Sequence, residues 1–195
     1  MTFQVRHAWV WVSAVFLPLT LWAADTAGAR EIDTEKSVMT VHVFKAGLLS
    51  PFGHEHDISA PIQQGKFDEG NRSVELLVDA RKMRVMDQDV STNDRAEIQE
   101  TMLGPKVLAS EQFPEIRFRS TSVESIGDGR WAVRGDLLLH GQTRPVKLEV
   151  QGQNGRYKGA AELKQRDFGI EPVRIGGGTV KVKDEVRVEF QIAGK

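Results

Sequence analysis

A chain of 195 residues that is 40% hydrophobic and 27% charged has the composition of one globular domain, which excludes a disordered, collagen-like or coiled-coil protein. Its formal net charge of −1 gives no general attraction to nucleic acid or to an anionic membrane. With no cysteine, it can form no disulfide, thiolate nucleophile or cysteine-ligated zinc or iron–sulfur site.

Arg6 and His7 precede an uncharged run, AWVWVSAVFLPLTLWAA at residues 8–24, and the segment DTAGA then ends at Ala29. A basic start, an apolar centre and a small-x-small end predict a secretory signal peptide. Pro18 interrupts the run, which is also short for a spanning helix, so a retained anchor is the weaker reading. Cleavage is expected after Ala29, with Ala24 as the alternative site. Residues 30–195 are then the mature domain, periplasmic or secreted, with no stable membrane span. The missing cysteine excludes lipoprotein attachment through that residue.

Beyond residue 30 the dominant period is two. SVMTVHVFKA puts Val41 and Val43 on one face and Thr40, His42 and Phe44 on the other. SVELLVD aligns Val74, Leu76 and Val78, and IRFRSTSV sets Ile116 and Phe118 against Arg117 and Arg119. RWAVRGDLLLHG carries Trp131, Val133, Leu137 and Leu139 at even intervals. TRPVKLEVQG and EVRVEFQIAG alternate in the same way, through Val146, Leu148 and Val150 and then Val186, Val188, Phe190 and Ile192. Such alternation marks strands with one wet and one buried face, hence an antiparallel sheet. Turn signals DEGN, GDG, HGQT, GQNG and GGG separate the strands.

One segment, STNDRAEIQETMLGPKVLASEQFPE, breaks the rhythm and predicts a helix. Asp94 and Glu97 fit a capping box, Ala96, Ile98, Met102 and Leu103 fit one apolar stripe, and Gly104 with Pro105 ends it. Pro105 is expected to open a second short turn that stops before Pro114. The fold class expected is all-β: an antiparallel barrel of about eight strands with a short helical insertion. Closure would remove exposed strand edges. A β-sandwich fits the periodicity nearly as well.

The chemical signals are sparse. GHEHD holds His54 and His56, which share a face if they lie on a strand, and His140 is a candidate third ligand for a divalent metal. The competing readings are hydrogen bonding at a barrel mouth and contact with a polar ligand head. His42 reads as an outward strand residue. In QRDFGI, Arg166 and Asp167 point to opposite faces if extended, and a buried arginine needs an acidic partner or a ligand's oxygen atoms. The glycines at 176–178 precede a strand pattern, which argues for a hairpin or barrel corner over a phosphate loop. There is no G-x-S-x-G motif, no recognisable carboxylate pair, and a single tyrosine, Tyr157.

Four segments in order, GHEHDISAPIQQGKFD, LASEQFPEIRFRSTSV, VRGDLLLHGQTRPVKLEV and AELKQRDFGIEP with KDEVRVEFQI, resemble the YceI-like proteins, exported polyisoprenoid-binding proteins with a lipocalin-like barrel. The resemblance spans about residues 33–193. This chain lacks the Asp-x-His-Leu and doubled Phe that often precede the P-x-I-x-F segment of that family, and carries a single Phe113 there. The resemblance implies an apolar tunnel for a prenyl chain and no agreed catalytic machinery, so an enzyme is not expected. The implied ligand is a polyisoprenoid or isoprenoid quinone, with no other cofactor. Candidate contacts are His54, His56, Phe67, Phe118, Trp131, Leu139, His140, Arg166 and Phe168. The alternative is a metal-binding barrel using His54, His56 and His140. The oligomeric state stays open, with a homodimer among the options. Alternation alone does not distinguish a hollow barrel from one filled by the same side chains.

Overall fold

A strand with one apolar face can bury it by curling its sheet into a barrel. A computed structural model describes residues 28–46, 55–175 and 180–195. Among the described residues twelve strands form one antiparallel sheet. In chain order they are β1 (Ala29–Glu31), β2 (Val38–Ala46), β3 (His56–Ser59), β4 (Ile62–Asp68), β5 (Ser73–Asp79) and β6 (Arg84–Val85). The helix α1 (Thr92–Leu103) follows, then β7 (Glu115–Gly127), β8 (Arg130–Leu139), β9 (Gln142–Gln153), β10 (Arg156–Lys164), β11 (Arg174–Ile175) and β12 (Val180–Ala193).

Eleven of these strands make eight staves, with β11 pairing β12 off that path, which explains how a count of about eight is compatible with twelve segments. β1 and β2 run along the same side of β12, separated by a turn at residues 34–36. β3 and β4 face them as one stave bent at Ala60, and β5 and β6 form the next. From there β7, β8, β9, β10 and β12 pair in sequence. The ring closes because β12 pairs with β10 on one side and β2 on the other. Past β12, Ile32 bridges Gly194, Asp33 N–H donates to Ala193 O at 2.8 Å and Lys195 N–H donates to Glu31 O at 2.9 Å.

Registry sets the faces. Trp131 lies opposite Val150, Val150 opposite Gly159, Gly159 opposite Phe190 and Phe190 opposite Met39, forming an inward row across five strands. Two glycines let aromatic rings lie against the inner wall. A Cβ on Gly135 would come within 2.5 Å of the Phe118 ring, and one on Gly159 within 2.7 Å of the Phe190 ring.

α1 connects β6 to β7. Its N-cap is Ser91, whose hydroxyl accepts from Asp94 N–H at 3.2 Å and donates to Asp94 Oδ2 at 2.8 Å. The helix therefore starts earlier than a cap at Asp94 would allow: Ser91 is extended (φ −62°, ψ 158°), which frees its side chain to reach the orphan N–H groups. Only Met102 of the expected stripe is fully buried; Ile98 and Leu103 pack partly against the core. A side-chain amide fastens the helix to the sheet. Gln99 Oε1 accepts from Val85 N–H at 2.8 Å while its Nε2 donates to Met83 O at 2.9 Å, in the place of a neighbouring strand. After Gly104 the chain makes hydrogen-bonded turns through Phe113, the short turn expected between Pro105 and Pro114. QRDFGI is not a strand either. Gln165–Phe168 is a 3-10 turn ended by Gly169 in the left-handed region (φ 74°). The glycines at 176–178 lie outside the described residues. No helix among the described residues is long and apolar enough to cross a membrane.

Candidate functional site

The barrel encloses a cavity of about 280 Å³. Its walls are the inward residues of the alternating strands, including Val41, Val74, Phe118, Trp131, Leu148 and Val188. At one end the helical insertion and the segment after β10 close it with Met102, Leu108 and Ile170, all buried. At the other end, where the β4–β5 turn lies, exposed Glu69, Arg72 and Ser73 line it and form a mouth. Between that mouth and Gln165 at the far end, the described lining is otherwise apolar apart from Tyr157. A space of this kind, lacking polar partners, is poorly suited to water and well suited to hydrocarbon.

The acids at the mouth are already engaged. Asp68 Oδ1 accepts Asn71 N–H and Oδ2 accepts the Asn71 amide, each at 2.8 Å, and these bonds hold its carboxyl below the ordinary carboxylate range. Glu69 Oε1 accepts Gly155 N–H at 3.0 Å and Tyr157 O–H at 2.7 Å. Burial pushes the Tyr157 phenol up to about 12, with the Glu69 hydrogen bond as the next cause. The Tyr157 ring meets Phe67 edge-on, with centroids 5.4 Å apart.

Of the residues singled out in the sequence, Phe67, Phe118, Trp131 and Leu139 line the cavity. Trp131 also satisfies its indole N–H on Gly152 O at 3.1 Å. The polar candidates go elsewhere. His56 sits at the start of β3 opposite Val43, with its Nδ1 2.6 Å from Asp87 Oδ2; the Asp87 side chain is only 2% exposed and its other oxygen accepts Asp57 N–H at 2.8 Å. His140 takes a left-handed backbone (φ 51°) in the β8–β9 turn, places Nδ1 3.0 Å from Phe168 O, and stacks edge-on against Phe113. Phe168 is buried in the end packing. Arg166 is exposed on the 3-10 turn, near Glu171 at 3.4 Å and Asp184 at 3.9 Å, because that turn faces solvent where an extended chain could have pointed it inward. His42 is outward, 2.7 Å from Asp57 and 3.7 Å from Glu189. His54 lies outside the described residues. Among the described residues no group of three or more His, Asp or Glu side chains is placed to hold a metal ion.

A family model described as a YceI-like domain matches residues 31–194. The chain belongs to the YceI-like family. A UPF0312 protein of Vibrio parahaemolyticus is 27% identical over 190 residues, covering 90% of this chain and 92% of the relative. One from Shewanella oneidensis is 28% identical over 193 residues, covering 91% and 92%. Against UPF0312 proteins of Vibrio cholerae the match spans 127 residues, 61% of the relatives' length. Among solved structures, Burkholderia cenocepacia BcnA has a TM-score of 0.61 at 20% identity, covering 84% of this chain and 99% of that one. A mutant Campylobacter jejuni YceI protein has a TM-score of 0.51 at 13% identity, covering 71% and 81%. At these identities the structural likeness speaks for the fold.

Several lining residues of this YceI-like barrel are not marked by strand alternation. Met83, Met102, Val107, Leu108 and Ile170 come from turns and from α1, and are brought to the lumen by the insertion folding over one end. Tyr157 and Ala161 lie on β10, whose Gly-Ala-Ala centre hides its period. The signal available for Tyr157 was the short GQNG turn before it, which implies a partner strand for β9.

Proposed function

We propose that this YceI-like chain is an exported, non-enzymatic carrier that holds an apolar chain of the polyisoprenoid or isoprenoid-quinone class in its lumen. The observation that carries the reading is the ring of apolar inward residues around a cavity with an exposed mouth at the β4–β5 turn. Each five-carbon unit that enters would gain roughly 3–4 kcal/mol gross, at ~0.8 kcal/mol per buried CH₂. Ordering the flexible chain offsets much of this. An apolar cavity of ~150 Å³ takes a benzene-sized solute. The space here therefore suits roughly a dozen carbon atoms, about two isoprene units. A longer chain is accommodated by rotation of Met39, Met83 and Met102, whose unbranched side chains adapt readily, or by protruding at the mouth. Phe67, Phe118, Trp131 and Leu139 are the contacts assigned to the hydrocarbon. His56, His140, Arg166 and Phe168 shape the closed end. Removal of the segment before Arg30 is part of this reading.

Native mass spectrometry and solvent extraction of protein purified from the exporting compartment test it, together with titration by short isoprenoid quinones read through Trp131, the single tryptophan after residue 22. An extracted isoprenoid, or saturable quenching of Trp131, is the expected result. Protein that comes out empty and leaves Trp131 fluorescence unchanged with quinones or prenols overturns the reading.

A further inference from the structure

We infer that the mouth end of the barrel is a docking surface for an anionic lipid bilayer. The β4–β5, β7–β8 and β9–β10 turns and the end of β12 all lie at this end. Ladder partners Arg130, Gln151, Lys158, Gln191 and Val38 make one outward row across five strands. Arg156 stands one step nearer the rim, opposite Gln153 and Ala193. A groove of about 370 Å³ runs among Lys36, Gln151, Arg156, Lys158 and Gln191. Lys36 is paired with Asp33 at 2.7 Å. Arg130, Arg156 and Lys158 have no ion-pair partner among the described residues. No acid falls in either row; the nearest outward acids on β9 and β12 are Glu149 and Glu189, and Glu189 is held by Arg187 at 2.8 Å. Two exposed acids lie at the same end, Asp128 in the β7–β8 turn two residues before Arg130 and Glu69 at the mouth, and against them Arg130, Arg156 and Lys158 leave the outward rows locally cationic on a chain whose total charge is −1.

Two further observations select a bilayer as the occupant. Among the described residues two of the three exposed large hydrophobics accompany this basic row, Val38 (59%) within it and Ile126 (41%) next to the β7–β8 turn. Cations with apolar tips are what an interfacial anchor combines. The chain also begins its first strand here, with Ala29 opposite Asp68, so the uncharged run at 8–24, when attached, joins the barrel at this end. Docked in this way, the barrel turns its mouth toward the lipid. The inference rests on charge and exposure at the end face, not on what fills the lumen, so vesicle binding and ligand extraction fail independently.

The chain has no cysteine, so Ile126→Cys and Lys106→Cys each give one site for an environment-sensitive fluorophore, at the mouth end and on the turns following α1 respectively. Protein purified after export, with its N-terminus read by mass spectrometry, is mixed with vesicles of phosphatidylglycerol or of phosphatidylcholine. The expected result is a blue shift at position 126 and none at 106, on phosphatidylglycerol only. Arg130→Glu/Arg156→Glu/Lys158→Glu should lower partitioning about a hundredfold or more, given roughly fivefold per charge near an anionic surface. The neutral triple change to glutamine should give an intermediate loss, with an unchanged melting temperature confirming the fold. Equal shifts at both positions, equal binding to both lipids, or partitioning unmoved by charge reversal would overturn the inference.

Discussion

Tyr157 on β10 donates its phenolic proton to Glu69 Oε1 at 2.7 Å, linking two turns that are far apart in sequence across the barrel mouth. Glu69 also accepts Gly155 N–H, so one carboxylate fixes both the strand that carries Tyr157 and the ring that borders the lumen. The arrangement ties the shape of the opening to a titratable pair.

As Tyr157 is the only tyrosine, alkaline absorbance titration reads it alone. Its phenol should titrate near 12 instead of the usual 10. A raised folded value means this group contributes stability that is fully present below about pH 10 and lost as pH rises through about 12. Glu69→Gln should bring the value down part of the way only, because burial is the larger cause. An unchanged value in that variant would show that Glu69 plays no part.

Ala161 lines the lumen from β10 and is small. Ala161→Phe places a ring in the space assigned to hydrocarbon. If that space is free in the folded protein, the variant should stay folded and melt no lower than the parent, while isoprenoid extraction and Trp131 quenching are lost. In a solid core the same change would cost about 1–3 kcal/mol through overpacking. The melting curve and the quenching titration together separate the two outcomes.

The inward wall was legible because period-two alternation is a strong local signal. Val41, Phe118, Leu139, Val146 and Phe190, picked from spacing alone, all face the cavity. The closed antiparallel ring also agrees with that pattern, although the contact from Ile32 to Gly194 is invisible in sequence, being a pairing across nearly the whole chain. β10 was missed because glycine and two alanines carry no period. The helix start was misplaced since Ser91 and Asp94 are both competent caps and only the backbone at Ser91 decides. The histidines were the least legible. Their roles depend on Asp87 and on Phe168 O, partners 31 and 28 residues away that no spacing rule relates to them.

Asp79 caps the 3-10 turn after β5 and holds Arg81 through two side-chain bonds, Nε to Oδ1 at 2.9 Å and Nη2 to Oδ2 at 2.8 Å. The Arg81 guanidinium keeps this carboxyl below its ordinary range. A depressed folded value contributes stability above the unfolded value, about pH 4, which is lost as pH falls through the folded one. Asp79→Asn should therefore melt roughly 2–4 °C lower at pH 7. The gap to the parent should narrow below about pH 4, and a gap independent of pH would rule out the ion pair as its source.

Asp87 is the link between β3 and the segment that follows β6. Its two oxygens meet the His56 ring and the Asp57 N–H, and its side chain is almost wholly buried. Asp87→Ala leaves the Asp57 N–H without its acceptor and the partly exposed His56 ring without its partner, which should cost about 1–3 kcal/mol of unfolding free energy. Neither residue lines the lumen, so quenching of Trp131 by isoprenoid quinones should persist at temperatures where the variant is folded. Denaturant unfolding gives the first quantity and fluorescence titration the second. Loss of quenching in a fully folded Asp87→Ala protein would move this histidine–aspartate pair from the scaffold into the binding site, and would require the ligand to reach the closed end of the barrel.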